Sequence, residues 1–156
     1  MLMLQFQCGD ERYGLDVSQI IEVAPMVVLR KVPHSPVSVA GLFNYRGTLT
    51  PVIDLSVLLL GVESHPRMST RIILVEYIGM DGSPHILGLL AERATEIVSC
   101  READFQPTGI AVGEVPCQGE ALIDAKGTIQ RIQVNKILPQ SLQDSLFAEG
   151  ENLLNE

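Results

Sequence analysis

The chain has 156 residues, 19 of them acidic and 11 basic, for a formal net charge of −8. That balance argues against the basic stripe that releases counterions from nucleic-acid phosphates, and against docking on anionic lipid. The length allows one ordinary domain or two very small ones, with a real core in either case.

Apolar residues make up 46% of the chain and charged residues only 19%, with a mean hydropathy of +0.24. The excess must fill aliphatic cores or form an exposed patch that a partner covers. Trp is absent and aromatics are 4%, so Val, Ile and Leu do the packing, and β-branched side chains suit pleated strands.

In chain order, residues 2–8 alternate and meet the turn Gly9-Asp10, and 12–16 return. Residues 20–24 form a third strand ended by Pro25. Pro33 and Pro36 punctuate a crossing loop before strands at 39–45 and 49–54, around a turn at Arg46-Gly47. Residues 57–60 read as a turn or two of helix stopped by Gly61. After a polar link at 63–67, strands are expected at 71–78, 86–91 and 94–100, with Asp81-Gly82 as a hairpin signal. A mixed loop covers 101–118, and strands at 120–124 and 128–135 follow. Beyond Pro139, Ser141-x-x-Asp144 resembles a capping box, and Leu142, Leu146 and Phe147 share a helical face. Residues 149–156 form an acidic tail expected to fray.

The halves resemble each other. Gly14 and Gly88 enter stretches that end in Glu22-Val23 and Glu96-Ile97, while Arg46-Gly47-Thr48-Leu49 recurs as Lys126-Gly127-Thr128-Ile129. Asp54 and Asn135 follow in matching positions. Offsets that drift by only a few residues between segments suggest an internal duplication. The expected fold class is therefore all-β with a short C-terminal helix. Residues 1–65 and 66–138 would form two small five-stranded barrels, and residues 139–156 the helix and tail. Each barrel would be marginal alone, so the two should pack together and leave a groove between them.

Catalytic motifs are missing: there is no phosphate-binding G-x-x-x-x-G-K-[ST], no G-x-S-x-G and no H-E-x-x-H. His34, His65 and His85 lie in separate turns, so no metal site, cofactor or catalytic residue is expected. Cys8, Cys100 and Cys117 lack a C-x-x-C pairing and read as reduced thiols. The N-terminus has no basic region of a signal peptide, and apolar runs fall short of a membrane span, so a cytoplasmic protein is expected.

Glu22 and Arg46 stand out, because each sits at or inside an apolar strand, where an unpaired charge is costly. The duplication places them at matched elements, and an ion pair near the rim of the first barrel is expected. Such a pair can serve recognition, or it can only hold the turn at Gly47. Asn44 is expected to cap its own turn, and Asp16 the next one.

The strings Tyr13-Gly14-Leu15-Asp16-Val17, Ile20-Ile21-Glu22-Val23, Val32-Pro33-x-x-Pro36, Asn44-Tyr45-Arg46-Gly47 and Pro51-Val52-Ile53-Asp54-Leu55 together resemble the CheW family of chemotaxis coupling proteins. The residue before the arginine is usually leucine in that pattern, and here it is Tyr45. The resemblance implies two SH3-like barrels and no catalysis. It implies a signalling adaptor between the cytoplasmic tip of a methyl-accepting chemoreceptor and the regulatory domain of a CheA-type histidine kinase, recruited to receptor arrays at the inner membrane. Carried over, Ile20, Glu22, Val23 and Arg46, with Asn44 and Gly47 of the same turn, mark the partner-binding region toward the receptor. The second barrel, around 87–97 and the Lys126-Gly127 turn, would face the kinase. The alternatives are a small β-barrel enzyme, which needs a pocket with convergent titratable groups, and a barrel for single-stranded nucleic acid, which the acidic balance opposes.

Overall fold

The computed structural model describes residues 1–108 and 119–146. Its strands are β1 (Leu2–Cys8), β2 (Glu11–Asp16), β3 (Ile20–Pro25), β4 (Val39–Tyr45), β5 (Thr48–Asp54), β6 (Arg71–Ile78), β7 (Pro84–Ser99), β8 (Gln106–Pro107), β9 (Glu120–Asp124) and β10 (Gly127–Ile132). Two short α-helices also lie among the described residues: α1 (Leu55–Leu60), and α2 (Gln140–Ser145) near their end. None of the described helices is long and apolar enough to cross a membrane.

The expected strands at 86–91 and 94–100 are one strand, β7. It stays continuous because the irregularity between them is a bulge. Arg93 takes a left-handed φ of +52°, and the register against β1 shifts between Gln5 and Gln7. The bulge lets β7 leave one sheet and enter another. Its first part pairs with β6 and, in parallel, with β5. Its second part pairs with β1. One sheet therefore runs β4–β5–β7–β6–β3, and the other β7–β1–β2–β10–β9–β8.

This topology crosses the expected division of the chain at residue 65. The sheets are not built from contiguous halves, since β1 and β2 lie in the sheet of β9 and β10, while β6 and the start of β7 lie with β3, β4 and β5. The exchange is reciprocal. Val52 pairs with Gly88 in the parallel ladder of β5 and β7, and Arg131 pairs with Gly14 in the parallel ladder of β10 and β2. Likewise Val23 opposes Ile73 across β3 and β6, and Ile97 opposes Leu4 across β7 and β1. Each half lends two strand segments to the other half's sheet, at registers that the internal repeat relates.

Alternation of side chains explains why the strands read as unbroken apolar runs. Ile72 and Leu74 point into a small cluster with Val52, Tyr45 and Leu90, whereas Ile73, Val75 and Tyr77 point the other way. In the second sheet, Met3 and Ile129 meet Leu122 on one face, while Leu4, Phe6 and Ile132 use the opposite face. Those opposite faces merge in one large core that joins both sheets, α1 and α2. A strand buried on both faces has no polar side to show. The sheets stabilise each other through this shared core, as their small size requires.

The helix ends follow local chemistry. Asp54 caps α1, its carboxylate accepting from the Ser56 and Val57 amides, and Gly61 closes the helix at φ +76°. The same carboxylate accepts from the Ser64 amide at 2.9 Å and the Ser64 hydroxyl at 2.6 Å, fastening the link after the helix. The capping box expected at Ser141 is not formed. The N-cap of α2 is Pro139, without a side-chain cap, and Asp144 accepts from Gln140 at 3.0 Å instead. Leu142 is buried in the shared core and Leu146 packs against it. Phe147, Cys117 and the acidic tail lie outside the described residues. The expected strand at 128–135 ends at Ile132 and becomes a 3₁₀ turn at Val134–Lys136, where Asn135 Oδ1 accepts from the Ile78 amide at 3.1 Å.

Candidate functional site

The β4–β5 hairpin turns through two residues, Arg46 at φ +50° and Gly47 at φ +88°, between the paired Tyr45 and Thr48. Positive φ at both central residues is the signature of a type I′ turn, whose twist matches its flanking strands. Glycine adopts it freely, but an arginine there carries backbone strain. Asn44 supports the turn as expected, its side-chain oxygen accepting from the Gly47 amide at 2.9 Å. Asp16 caps the turn that follows it, as expected, accepting from the Ser18 amide at 2.9 Å.

In the sheet order, β3 and β4 are the two end strands. The chain after β3 reaches β4 through a backbone pair, with Arg30 and Leu42 exchanging hydrogen bonds of 3.1 and 2.8 Å. Gly41 permits this approach, because a Cβ there would stand 2.7 Å from the Arg30 carbonyl oxygen. At the hairpin tip the link is ionic: Arg46 Nη2 donates to Glu22 Oε1 of β3 at 2.9 Å. The expected pair at the rim is therefore present, and it spans the two ends of the sheet.

Its setting differs from the expectation in one respect. The side chains are 74% and 40% exposed, so these are not costly charges inside apolar strands. The tip of a two-residue hairpin carries its side chain outward whatever the hydropathy of its neighbours. An exposed pair of this kind contributes about 0–1 kcal/mol. Arg46 has a second neighbour in Tyr45, whose ring centroid lies 5.2 Å from the guanidinium carbon. Tyr45 is buried and stacks on Phe43 at 6.3 Å.

Glu22, Asn44, Arg46 and Gly47 thus converge on one rim. Ile20 lies apart from them, lining a groove of about 310 Å³ with Ile21, Glu76, Ile78 and Val134, where β3, β6 and the 134–136 turn of the other sheet meet. Val23 faces inward and packs against the shared core. Sequence reasoning missed a longer apolar tract along residues 26–40. There Val28 is fully exposed and Val37 is 84% exposed, beside grooves of about 460 and 560 Å³. The run Met26-Val27-Val28-Leu29 was the available signal.

A cavity of about 400 Å³ near Cys100, Asp104 and Asp124 is the place where an enzyme reading would look. Its groups are tuned away from acid–base work near neutrality. Burial pushes the Cys100 thiol up. The Arg101 backbone and guanidinium hold Asp104 below the usual carboxylate range. The Arg12 guanidinium takes Asp124 down to about 2, through a two-pronged contact at 2.8 and 2.6 Å. Arg12 is a structural clamp between β2 and the β9–β10 turn. Arg131 plays the same part beside Phe105, donating to Glu102 and Glu120.

A reciprocal pair of small β-sheets with a propped cation at an open rim defines an interaction module. The chain belongs to the CheW-like domain family, whose sequence model matches residues 2–142. It is 26% identical over 106 residues to the chemotaxis protein CheW of Rhizobium meliloti (68% of this chain, 65% of that one). It is 30% identical over 103 residues to CheW of Helicobacter pylori (65% of this chain, 59% of that one). Both alignments span less than two thirds of those relatives. The fold is similar to the crystal structure of the scaffolding protein TtCheW from Thermoanaerobacter tengcongensis, with a TM-score of 0.75 at 26% identity, covering 86% of this chain and 84% of that one.

Proposed function

We propose that this protein is a non-catalytic signalling adaptor that couples the cytoplasmic tip of a chemoreceptor to the regulatory domain of a CheA-type histidine kinase, within cytoplasmic arrays at the inner membrane. The observation that carries this reading is the family match across residues 2–142. Its relatives named as chemotaxis CheW proteins supply the process. In this reading the rim of Glu22, Asn44, Arg46 and Gly47, with the Ile20 groove beside it, receives the receptor. The second half of the chain, around 87–97 and the Lys126-Gly127 turn, receives the kinase. The adaptor then acts by geometry, since holding two partners at fixed spacing raises their effective concentration for each other.

The test measures binding of each partner separately. A purified receptor cytoplasmic fragment and a purified kinase regulatory domain are titrated against wild type and Arg46→Glu. Charge reversal sets two carboxylates against each other at the rim, so receptor capture is expected to fall at least tenfold, with kinase binding and the circular-dichroism spectrum unchanged. Undiminished receptor capture by a folded Arg46→Glu protein would retire the rim as the receptor site. Failure of wild type to bind either partner would retire the adaptor reading.

A further inference from the structure

We propose that Tyr45 is a positioning residue for Arg46, holding the guanidinium in a recognition-ready pose through the face of its ring; this rests on the reading of Arg46 as a partner-binding group. Arg46 is 74% exposed and, among the described residues, makes a single ion pair, to Glu22. A long side chain with so few restraints samples many rotamers, and ordering it on binding costs affinity. The ring of Tyr45 changes that. It stands 5.2 Å from the guanidinium carbon, within the range where a cation is drawn to an aromatic face.

The ring is itself fixed. Tyr45 is 8% exposed, sits in the cluster of Val52, Ile72, Leu74 and Leu90, and stacks on Phe43. The strained turn adds a further restraint, because Arg46 at φ +50° has little backbone freedom. The ring and the Glu22 carboxylate therefore hold the guanidinium, and the turn limits the backbone that carries it. A leucine at position 45 could fill the same core space but would offer the cation no π face, so residue 45 sets how rigidly the rim presents its charge.

The experiment separates ring electronics from ring volume. Tyr45→Phe keeps both, Tyr45→Leu loses the ring, and replacement of Tyr45 by pentafluorophenylalanine keeps the shape but reverses the charge of the face. Two readouts are taken: the arginine side-chain NMR signals of Arg46 in the free protein, assigned with Arg46→Lys, and the affinity for a purified receptor cytoplasmic fragment. Tyr45→Phe is expected to match wild type in both. The fluorinated ring is expected to abolish the ring-induced shift of the Arg46 signals and to weaken capture roughly two- to fivefold. Equal affinity and an unchanged Arg46 shift with the fluorinated ring would overturn the proposal while leaving Arg46 as a receptor contact. Should Arg46→Glu bind the fragment normally, the receptor reading fails by itself. The NMR comparison then decides alone: loss of the shift upholds the positioning role, and its persistence refutes it.

Discussion

The left-handed conformation of Arg46 has a measurable cost. A non-glycine residue at φ +50° gives up about 1 kcal/mol relative to a relaxed backbone. The side chain recovers part of this. The exposed pair with Glu22 contributes about 0–1 kcal/mol, and the Tyr45 ring about 0.5–1 kcal/mol. Arg46→Ala deletes those contacts and keeps the strain, so it should be destabilised by about 1 kcal/mol. Arg46→Gly deletes the same contacts but relieves the strain, less the extra freedom glycine gives the unfolded chain. It should fall within about 0.5 kcal/mol of wild type. Urea unfolding reads the difference: with a slope of about 2 kcal/mol per M, the alanine midpoint should lie roughly 0.5 M below the other two. Both variants should lose receptor capture. Coincident midpoints for glycine and alanine would show that the turn carries no strain, and the case that arginine is kept there for its side chain would lose its basis.

Acid should weaken the Arg12–Asp124 clamp. Asp124 titrates near 2 in the folded protein, against an ordinary 3.8. The unfolded chain therefore binds more protons in this window, and the contribution is full above about pH 4 and disappears as pH falls toward 2. The full shift corresponds to about 2.4 kcal/mol, which solvent screening of a carboxylate 36% exposed reduces to about 1 kcal/mol. The stability gap between wild type and Asp124→Asn should accordingly narrow from pH 6 to pH 2.5, and a constant gap would contradict the clamp. Gly41→Ala drives a Cβ to 2.7 Å from a backbone oxygen and should cost about 3 kcal/mol or more. Gly47→Ala meets open space and should cost only about 1 kcal/mol, for its backbone conformation; thermal melts order the two. Asp54→Ala removes the cap of α1 and both bonds to Ser64, for an expected loss of about 2–3 kcal/mol. Hydrogen exchange should show the Ser56 and Ser64 amides opening first.

Local features of this fold were legible because local chemistry fixes them. Gly9, Asp81-Gly82 and Arg46-Gly47 mark hairpins through their backbone conformations, and the β-branched runs between them are strands. The Glu22–Arg46 pair was legible as two charges in otherwise apolar surroundings, although the hairpin tip exposes what hydropathy suggested was buried. Strand exchange was not legible. Pairing of Val52 with Gly88 and of Arg131 with Gly14 joins residues far apart in sequence, and no local preference selects a neighbour at that distance. One trace of it was present. Each repeat carries a glycine at the crossing: a Cβ on Gly88 would stand 2.9 Å from Val52, and one on Gly14 would stand 3.1 Å from Ile129 and 1.9 Å from Met3 of its own half. The duplication was visible, but nothing in the sequence marked these strand glycines as space for the other half's strand. The break at Glu92-Arg93 looked like the end of a strand because a bulge and a turn share the same polar residues. Arg12 and Asp124, 112 residues apart, carried no signal until the parallel β2–β10 ladder brought their strands together.

The adaptor account is tested most directly by the phosphate flux of a reconstituted membrane assembly of receptor and CheA-type kinase, with and without this protein. The account predicts that wild type raises receptor-controlled kinase activity well above the two-component level, and that folded Arg46→Glu leaves it at that level. Flux that is indifferent to the protein, or fully restored by Arg46→Glu, would contradict it.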